Sequence, residues 1–186
     1  MLLGIVLAGG QSRRMGEDKA LLNWEGKTLL EHATQLLQEV GCDEVFVSRN
    51  APHCIKDIYP GKGPVAGIHA CLAASESCEA LVIPVDMPLL TRASLSNLVI
   101  QGRVFASSCY YDASVMPCYV RVNPAVLAEC ELRLQQNRLS LHALLDAIAA
   151  KAIRFDEVDE TQELMNTNTP AQWLLANRVV NDKELA

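Results

Sequence analysis

The sequence lacks the features that would direct it to a nucleic acid or a membrane. It has no basic excess, since 16 lysines and arginines stand against 22 aspartates and glutamates, and the net charge is −6. Proteins that bind along the phosphates of a nucleic acid or to an anionic membrane usually carry a surplus of basic residues, so both kinds of binding are disfavoured. No apolar run approaches the ~20 residues of a membrane helix. Local clusters of basic residues can still bind a small anion.

Closely spaced cysteine pairs are also missing. The seven cysteines include no two within four residues, so the spacing of a zinc site is absent. An odd number of cysteines in a chain of 186 residues favours reduced, mostly buried thiols. The apolar run at 1–10 is short and no basic segment precedes it, unlike the pattern of a signal peptide. We therefore expect a cytoplasmic protein.

Short apolar runs alternate with segments of helical periodicity along the chain. Strands are predicted at 2–7, 44–48, 81–85, 104–110, 115–122 and 152–155, and helices at 29–40, 65–74, 94–100, 124–136, 142–149 and from 170 onward. This alternation predicts an α/β fold, a mostly parallel sheet with helices on both faces, in a single domain over 1–186. Ligands bind such sheets at the carboxyl ends of strands, so the loops after Leu7, Ser48 and Val85 are the predicted site.

The loop after the first strand has the composition of a phosphate-binding segment. Residues 7–19 contain three glycines and three cations, namely Gly9, Gly10, Gly16, Arg13, Arg14 and Lys19. Glycines let backbone N–H groups approach a phosphate closely, and the cations can neutralise its oxygens. The spacing matches neither a Walker loop nor a dinucleotide fingerprint. The alternative is a surface loop whose charged side chains are simply solvated by water.

Three shorter segments can contribute to the same site. Asp86 ends a buried strand, where a carboxylate can hold Mg²⁺ together with substrate phosphates, or can merely cap a turn. Residues 63–67 open a small-residue helix with Gly-Pro, which suits an anion or an ordinary tight turn. Asn166 and Asn168 flank a helix cap, where their amides can bind a polar heterocycle or simply form the turn.

Taken together, these segments resemble a known family. Leu-Ala-Gly-Gly-x-Ser-x-Arg-Met-Gly-x-Asp-Lys at 7–19 is similar to the signature of nucleotidyltransferases that activate sugars and cofactors. Gly-Pro-Val-Ala-Gly at 63–67, Pro-Val-Asp-Met-Pro at 84–88 and Asn-Thr-Asn-Thr-Pro at 166–170 resemble the molybdenum cofactor guanylyltransferases. The implied fold is Rossmann-like, a three-layer α/β/α arrangement of the nucleotide-diphospho-sugar-transferase type.

The resemblance implies Mg²⁺-dependent transfer of GMP from GTP to the terminal phosphate of molybdenum-molybdopterin, with release of pyrophosphate. The catalytic residues are expected to be Arg13, Lys19 and Asp86, with Asp86 as the metal ligand. The nucleotide-binding residues are expected to be Leu7, Ala8, Gly9, Gly10, Arg13, Lys19, Ser48, Asn50, Asp57, Gly63, Pro64, Gly67 and Asp86. The pterin substrate is expected to contact Arg138, Asn166 and Asn168. Because Ser48 stands where the family often has an asparagine, either Ser48 or Asn50 is expected to make that nucleotide contact.

Other functions remain open at this point. A cytidylyltransferase acting on the same pterin shares the first motif, although that family tends to have Ala-Ala-Gly where this chain has Ala-Gly-Gly at 8–10. A sugar-phosphate nucleotidyltransferase is the next alternative, and a non-catalytic GTP-binding module is the alternative from another class. For the partners we expect a monomer with transient contacts to other molybdenum-cofactor biosynthesis proteins and molybdoenzymes.

Overall fold

The computed structural model describes residues 1–9, 18–155 and 160–184. The strands are β1 (Leu2–Leu7), β2 (Asn23–Trp24), β3 (Lys27–Thr28), β4 (Glu44–Ser48), β5 (Glu79–Pro84), β6 (Cys109–Tyr111), β7 (Ser114–Arg121) and β8 (Lys151–Ile153). The helices are α1 (Leu29–Val40), α2 (Pro64–Ala73), α3 (Arg92–Phe105), α4 (Pro124–Gln135), α5 (Leu141–Ala147), α6 (Glu160–Glu163) and α7 (Pro170–Glu184). A 3₁₀ turn spans Lys19–Leu21.

A six-stranded sheet organises the chain in the order β4-β1-β5-β7-β6-β8. β1 pairs in parallel with β4 and β5, β8 pairs in parallel with β6, and β7 is antiparallel to both of its neighbours. The sheet is therefore mostly parallel, as predicted. β1 and β5 lie inside it and are buried along nearly their whole length, which explains why their sequences are continuously apolar rather than alternating.

Helices cover both faces of the sheet. Gly4 of β1 faces α1, because a Cβ at this position would lie 3.0 Å from Leu37 Cδ1. Leu7 of the same strand faces α2, because its Cδ2 atom occupies the space beside Gly67. Side chains alternate between the faces of a strand, so α1 and α2 lie on opposite sides. α3 contacts α1, whereas α4 and α5 contact α2, which completes the predicted three-layer arrangement.

Local signals in the sequence set several helix ends. Thr28 caps α1, its hydroxyl accepting from the Glu31 N–H at 3.1 Å while the Glu31 carboxylate accepts from the Thr28 N–H at 2.7 Å. Gly41 ends this helix with φ 99°, a left-handed conformation that glycine adopts without steric cost. Asn123 caps α4 through a 3.0 Å bond from the Val126 N–H, and Pro124 follows at the first helical position.

The strand predicted at 104–110 is wrong in its first part. α3 continues to Phe105, and β6 begins only at Cys109. Val104 and Phe105 suggested a strand because they are β-branched and aromatic, but they lie on the exposed side of the helix end. The other predicted strands and helices are present with ends displaced by a few residues, and the short hairpin of β2 and β3 was not predicted.

The carboxy-terminal part of the described chain packs back against the first half. The Trp173 ring on α7 meets the Trp24 ring of the hairpin edge to face, with centroids 5.4 Å apart. The buried Glu163 carboxylate accepts from both the N–H and the hydroxyl of Thr91, each at 2.9 Å, where α3 begins. These contacts fix the segment between α6 and α7 beside the sheet. None of the helices in the described ranges combines the length and apolar character of a membrane crossing.

Candidate active site

The carboxyl ends of β1, β4 and β5 meet at one edge of the sheet. The Ala8 N–H donates to the Ser48 carbonyl at 3.0 Å, and the Val85 N–H donates to the Leu7 carbonyl at 3.1 Å. The chain leaves β1 toward β4 on one side and returns to β5 on the other, so β1 marks the switch point of the sheet. Open α/β sheets bind ligands in the crevice outside such a point. The structure therefore brings together the starts of the three predicted loops.

Lys19 and Asp86 form the charged centre of this edge. The Lys19 ammonium lies 3.5 Å from Asp86 Oδ2 and also donates to Asn168 Oδ1. Lys19 begins the 3₁₀ turn, which Asp18 caps by accepting from the Ala20 N–H at 3.2 Å. The Lys19 and Asp86 side chains are 14% and 20% exposed, so the cation and the carboxylate remain reachable from solvent. An anionic ligand can meet the Lys19 ammonium here, and a cation can meet the Asp86 carboxylate.

Thr167 brings the segment at 166–170 to this centre. Its N–H and its hydroxyl both donate to the backbone carbonyl of Asp86, at 2.8 and 3.1 Å, and the residue is buried. The next residue, Asn168, donates its N–H to Gln172 Oε1 at 2.9 Å, one turn into α7. The predicted pterin contacts Asn166 and Asn168 therefore flank a residue that is held directly against the predicted metal ligand.

Ser48, Asp57 and Gly67 form a second cluster at the end of β4. The Ser48 hydroxyl donates to Asp57 Oδ1 at 3.2 Å. Burial raises the pKa of the Asp57 carboxyl, and the Ser48 hydroxyl opposes that rise by stabilising the charged form. Gly67 has no side chain, and the Ser48 hydroxyl fills the place that a Cβ would take. The Ser48 hydroxyl is buried and bonds to Asp57, whereas Asn50 is exposed.

The first turn of α2 lies beside this cluster, and its Ala66 and Gly67 N–H groups donate to the Gly63 carbonyl at 3.1 and 3.4 Å. Gly63 precedes the helix with φ 70°, and Pro64 occupies the first helical position. Within the described part of the chain, no side chain caps this helix end. Uncapped N–H groups at a helix amino terminus attract anions and carbonyl oxygens. Ser48, Asp57, Gly63, Pro64 and Gly67 therefore lie in one region of the structure.

Some predicted site residues are not drawn into this centre. Arg138 follows α4, and its guanidinium donates to Gln136 Oε1 at 3.4 Å. The neighbouring Asn137 accepts from Lys62 at 2.6 Å, which joins the Arg138 loop to the loop before α2. In the described ranges, no hydrogen bond joins Arg138 to Asn166 or Asn168. Gly10 and Arg13 lie outside the described residues.

Three contributing side chains were missed by the sequence interpretation. Arg49 forms an ion pair with Asp18, which links the end of β4 to the turn that carries Lys19. Thr167 makes two hydrogen bonds to the backbone carbonyl of Asp86. An acidic residue directly before a short helical turn is a recognisable cap, so Asp18 could have been found from sequence. The partners of Arg49 and Thr167 depend on the tertiary fold.

Comparison with known proteins decides the family. A sequence model described as the MobA-like NTP transferase domain matches residues 4–152. The chain belongs to this family. A molybdenum cofactor guanylyltransferase of Xanthomonas euvesicatoria is 35% identical over 182 residues, covering 91% of each chain. A probable molybdenum cofactor guanylyltransferase of Bacillus licheniformis is 31% identical over 176 residues, covering 88% of this chain and 90% of that one.

Solved structures of MobA-like and related transferases have the same fold. Molybdopterin-guanine dinucleotide biosynthesis protein A from Archaeoglobus fulgidus superposes with a TM-score of 0.79 at 21% identity, covering 98% of this chain and all of that one (100%). A 2-C-methyl-D-erythritol 4-phosphate cytidylyltransferase from Thermus thermophilus superposes with a TM-score of 0.69 at 16% identity, covering 97% and 100%. The predicted fold class, a nucleotidyltransferase of the nucleotide-diphospho-sugar-transferase type, is confirmed.

Proposed function

We propose that this MobA-like NTP transferase moves GMP from GTP to the terminal phosphate of molybdenum-molybdopterin and releases pyrophosphate. The observation that carries the proposal is the meeting of Lys19, Asp86 and Asn168 at the carboxyl end of β5. This arrangement joins a cation, a carboxylate and an amide from segments far apart in sequence. The names of the relatives from Xanthomonas and Bacillus support guanine as the base and the molybdenum cofactor as the product.

Asp86 fits a shared magnesium site. Mg²⁺ is usually held by one or two carboxylates together with substrate phosphates, rather than by a cage of protein ligands. The described residues contain no group of three histidines, cysteines or acidic residues that would enclose a metal by themselves. Asp86 nonetheless offers a solvent-reachable carboxylate that already holds the Lys19 ammonium. When bound there, Mg²⁺ would neutralise charge on the nucleotide phosphates.

The remaining residues would bind and orient the substrates. Lys19 would contact the triphosphate, and Arg13 and Gly10 of the same loop are proposed phosphate contacts. Residues 7–9, Asn50 and the Ser48–Asp57 pair would surround the guanosine, together with the first turn of α2 at 63–67. Asn166, Asn168 and Arg138 would face the pterin substrate.

The proposed reaction needs no general base, because the attacking group is a phosphate monoester that is already ionised at neutral pH. The barrier is electrostatic, since this dianion must approach an anionic triphosphate. Preorganised cations stabilise such a transition state because they need no reorganisation when charge moves. Lys19 is held by two oxygen acceptors on two segments, so its charge is already in place.

We also propose that the chain acts as a single cytoplasmic domain over 1–186, as a monomer, with transient contacts to other molybdenum-cofactor biosynthesis proteins and molybdoenzymes.

Calorimetric binding of nucleotides in excess Mg²⁺ tests the nucleotide and the phosphate contact together. GTP should bind more tightly than CTP, and Lys19→Ala should weaken GTP binding about tenfold or more, as expected for loss of a charged hydrogen-bond partner. Arg121→Ala is a matched control, because it removes one surface charge at the end of β7 that pairs with the start of β5, away from the site. Tighter binding of CTP would assign the cytidylyltransferase activity instead. GTP binding without pyrophosphate release in the full reaction would indicate a GTP-binding module.

A further inference from the structure

We propose that Asn168 is a positioning residue for Lys19, and that it acts on the nucleotide side of the site before any pterin is present. The family resemblance associates Asn168 with the pterin substrate alone. The proposal rests on the function proposed above, in which Lys19 holds the triphosphate of GTP.

The geometry places Asn168 on Lys19 rather than toward open solvent. The Asn168 Oδ1 atom accepts a hydrogen bond from the Lys19 ammonium, which also lies 3.5 Å from Asp86 Oδ2. A lysine side chain loses up to about 2 kcal/mol of rotamer entropy when it is fixed. Because Asn168 and Asp86, on separate segments, already hold Lys19, this entropy is lost on folding and not on nucleotide binding. The ammonium is therefore held in place before a phosphate arrives.

Asn168 suits this role better than Asp86 does. A carboxylate that also serves a metal ion must divide its oxygens between the metal and Lys19. The amide of Asn168 is neutral, so it accepts a hydrogen bond and orients the ammonium without cancelling its charge. Lys19 consequently keeps its positive charge for the phosphates. A neutral acceptor such as this amide can position a lysine and leave its electrostatic attraction intact.

The segment that carries Asn168 is anchored without help from its side chain. Thr167 makes two hydrogen bonds to the Asp86 carbonyl, at 2.8 and 3.1 Å. The Asn168 backbone N–H is bound by Gln172 Oε1 at 2.9 Å. Removal of the Asn168 amide therefore leaves the backbone of this segment in place. The variant Asn168→Ala isolates the contact to Lys19.

The test is a double-mutant cycle on GTP affinity, measured by calorimetry in excess Mg²⁺ and without pterin. Asn168→Ala should raise the Kd for GTP about five- to tenfold, the effect expected for the loss of one hydrogen bond. In the Lys19→Ala background the same substitution should have little further effect, because its target is gone. Asn177→Ala on α7, whose amide donates to the Trp173 carbonyl at 2.8 Å, is the matched control and should leave the Kd unchanged.

The outcomes separate this proposal from the function on which it rests. If Lys19→Ala weakens GTP binding but Asn168→Ala does not, the positioning role is wrong and the phosphate role of Lys19 stands. If Lys19→Ala has no effect, both are wrong. If the two effects simply add, Asn168 acts on the site by another route and the proposal fails. Asn168→Asp retains the shape of the side chain but adds a negative charge that offsets the Lys19 charge, so it should also weaken GTP binding.

Discussion

Gly67→Ala places a methyl group at the tightest point of the site. Gly67 lies inside α2, where alanine normally stabilises a helix by about 1 kcal/mol relative to glycine. Here the new Cβ would overlap the Ser48 hydroxyl and lie 2.9 Å from Leu7 Cδ2 and 3.1 Å from Ser48 Cβ. Because two of these three atoms belong to a buried strand residue, the overlap cannot be relieved by turning a side chain into solvent.

The cost of the overlap should exceed the gain in helix propensity. Overpacking a well-packed interior typically costs about 1–3 kcal/mol. A shift of Ser48 would also break its hydrogen bond to Asp57, a contact worth about 1 kcal/mol. We therefore expect Gly67→Ala to lower the free energy of unfolding by about 1–3 kcal/mol in total. For a chain of this size each kcal/mol corresponds to a fall in Tm of about 2–4 °C.

Urea unfolding at neutral pH measures this difference directly. The midpoint should fall while the slope with denaturant stays the same. Ser48→Ala removes the nearest overlapping atom, so Gly67→Ala should cost less in that background than alone, and Ser48→Ala by itself is the matched control. A Gly67→Ala variant that is as stable as the parent, or more stable, would show that helix propensity outweighs the overlap. The tight packing of Gly67 against Ser48 and Leu7 would then be wrong.

The other predictions concern charge and thiol reactivity. Asp86→Asn should remove about 2–4 kcal/mol of transition-state stabilisation and slow turnover accordingly. Near-parental turnover of this variant at limiting Mg²⁺ would contradict the metal role of Asp86. Asp57→Asn should raise stability at neutral pH and weaken GTP binding. The raised pKa of Asp57 means that the ionised carboxyl costs stability, so the parent should lose stability as the pH rises from about 4 through that pKa, and the variant should not. Burial raises the pKa values of Cys71 and Cys130 to about 12. Iodoacetamide at pH 8 should therefore modify the exposed Cys78 in the native protein, and Cys71 and Cys130 only after unfolding. Mass spectrometry measures which cysteines are modified.

Local signals explain why much of the fold could be predicted. The Thr28 capping box, the glycine stop at Gly41 and the Asn123-Pro124 start each act within a few residues of the helix end that they set. α3 shows the limit of such signals. Its last turn carries Val104 and Phe105, whose strand preference is overridden because the same helix buries Leu98 and Gly102 against the sheet.

The sequence offered candidate site residues, but it did not predict the contacts that they make with one another. Asp86 stood out because it ends a buried strand, and Lys19 because it ends a glycine-rich loop. The hydrogen bond from Lys19 to Asn168 joins residues 149 positions apart, and no local pattern specifies it. The Ser48–Asp57 bond likewise depends on the missing side chain at Gly67. Such contacts arise from the way α2 and the 166–170 segment pack on the sheet.

Product analysis tests the central claim most directly. The protein is supplied with molybdenum-molybdopterin, Mg²⁺ and either GTP or CTP as the sole nucleotide, and pyrophosphate and pterin products are quantified by mass spectrometry. The proposed function predicts one pyrophosphate for each guanine dinucleotide formed with GTP, and little product with CTP. A cytosine dinucleotide, or consumption of GTP without any dinucleotide, would contradict it.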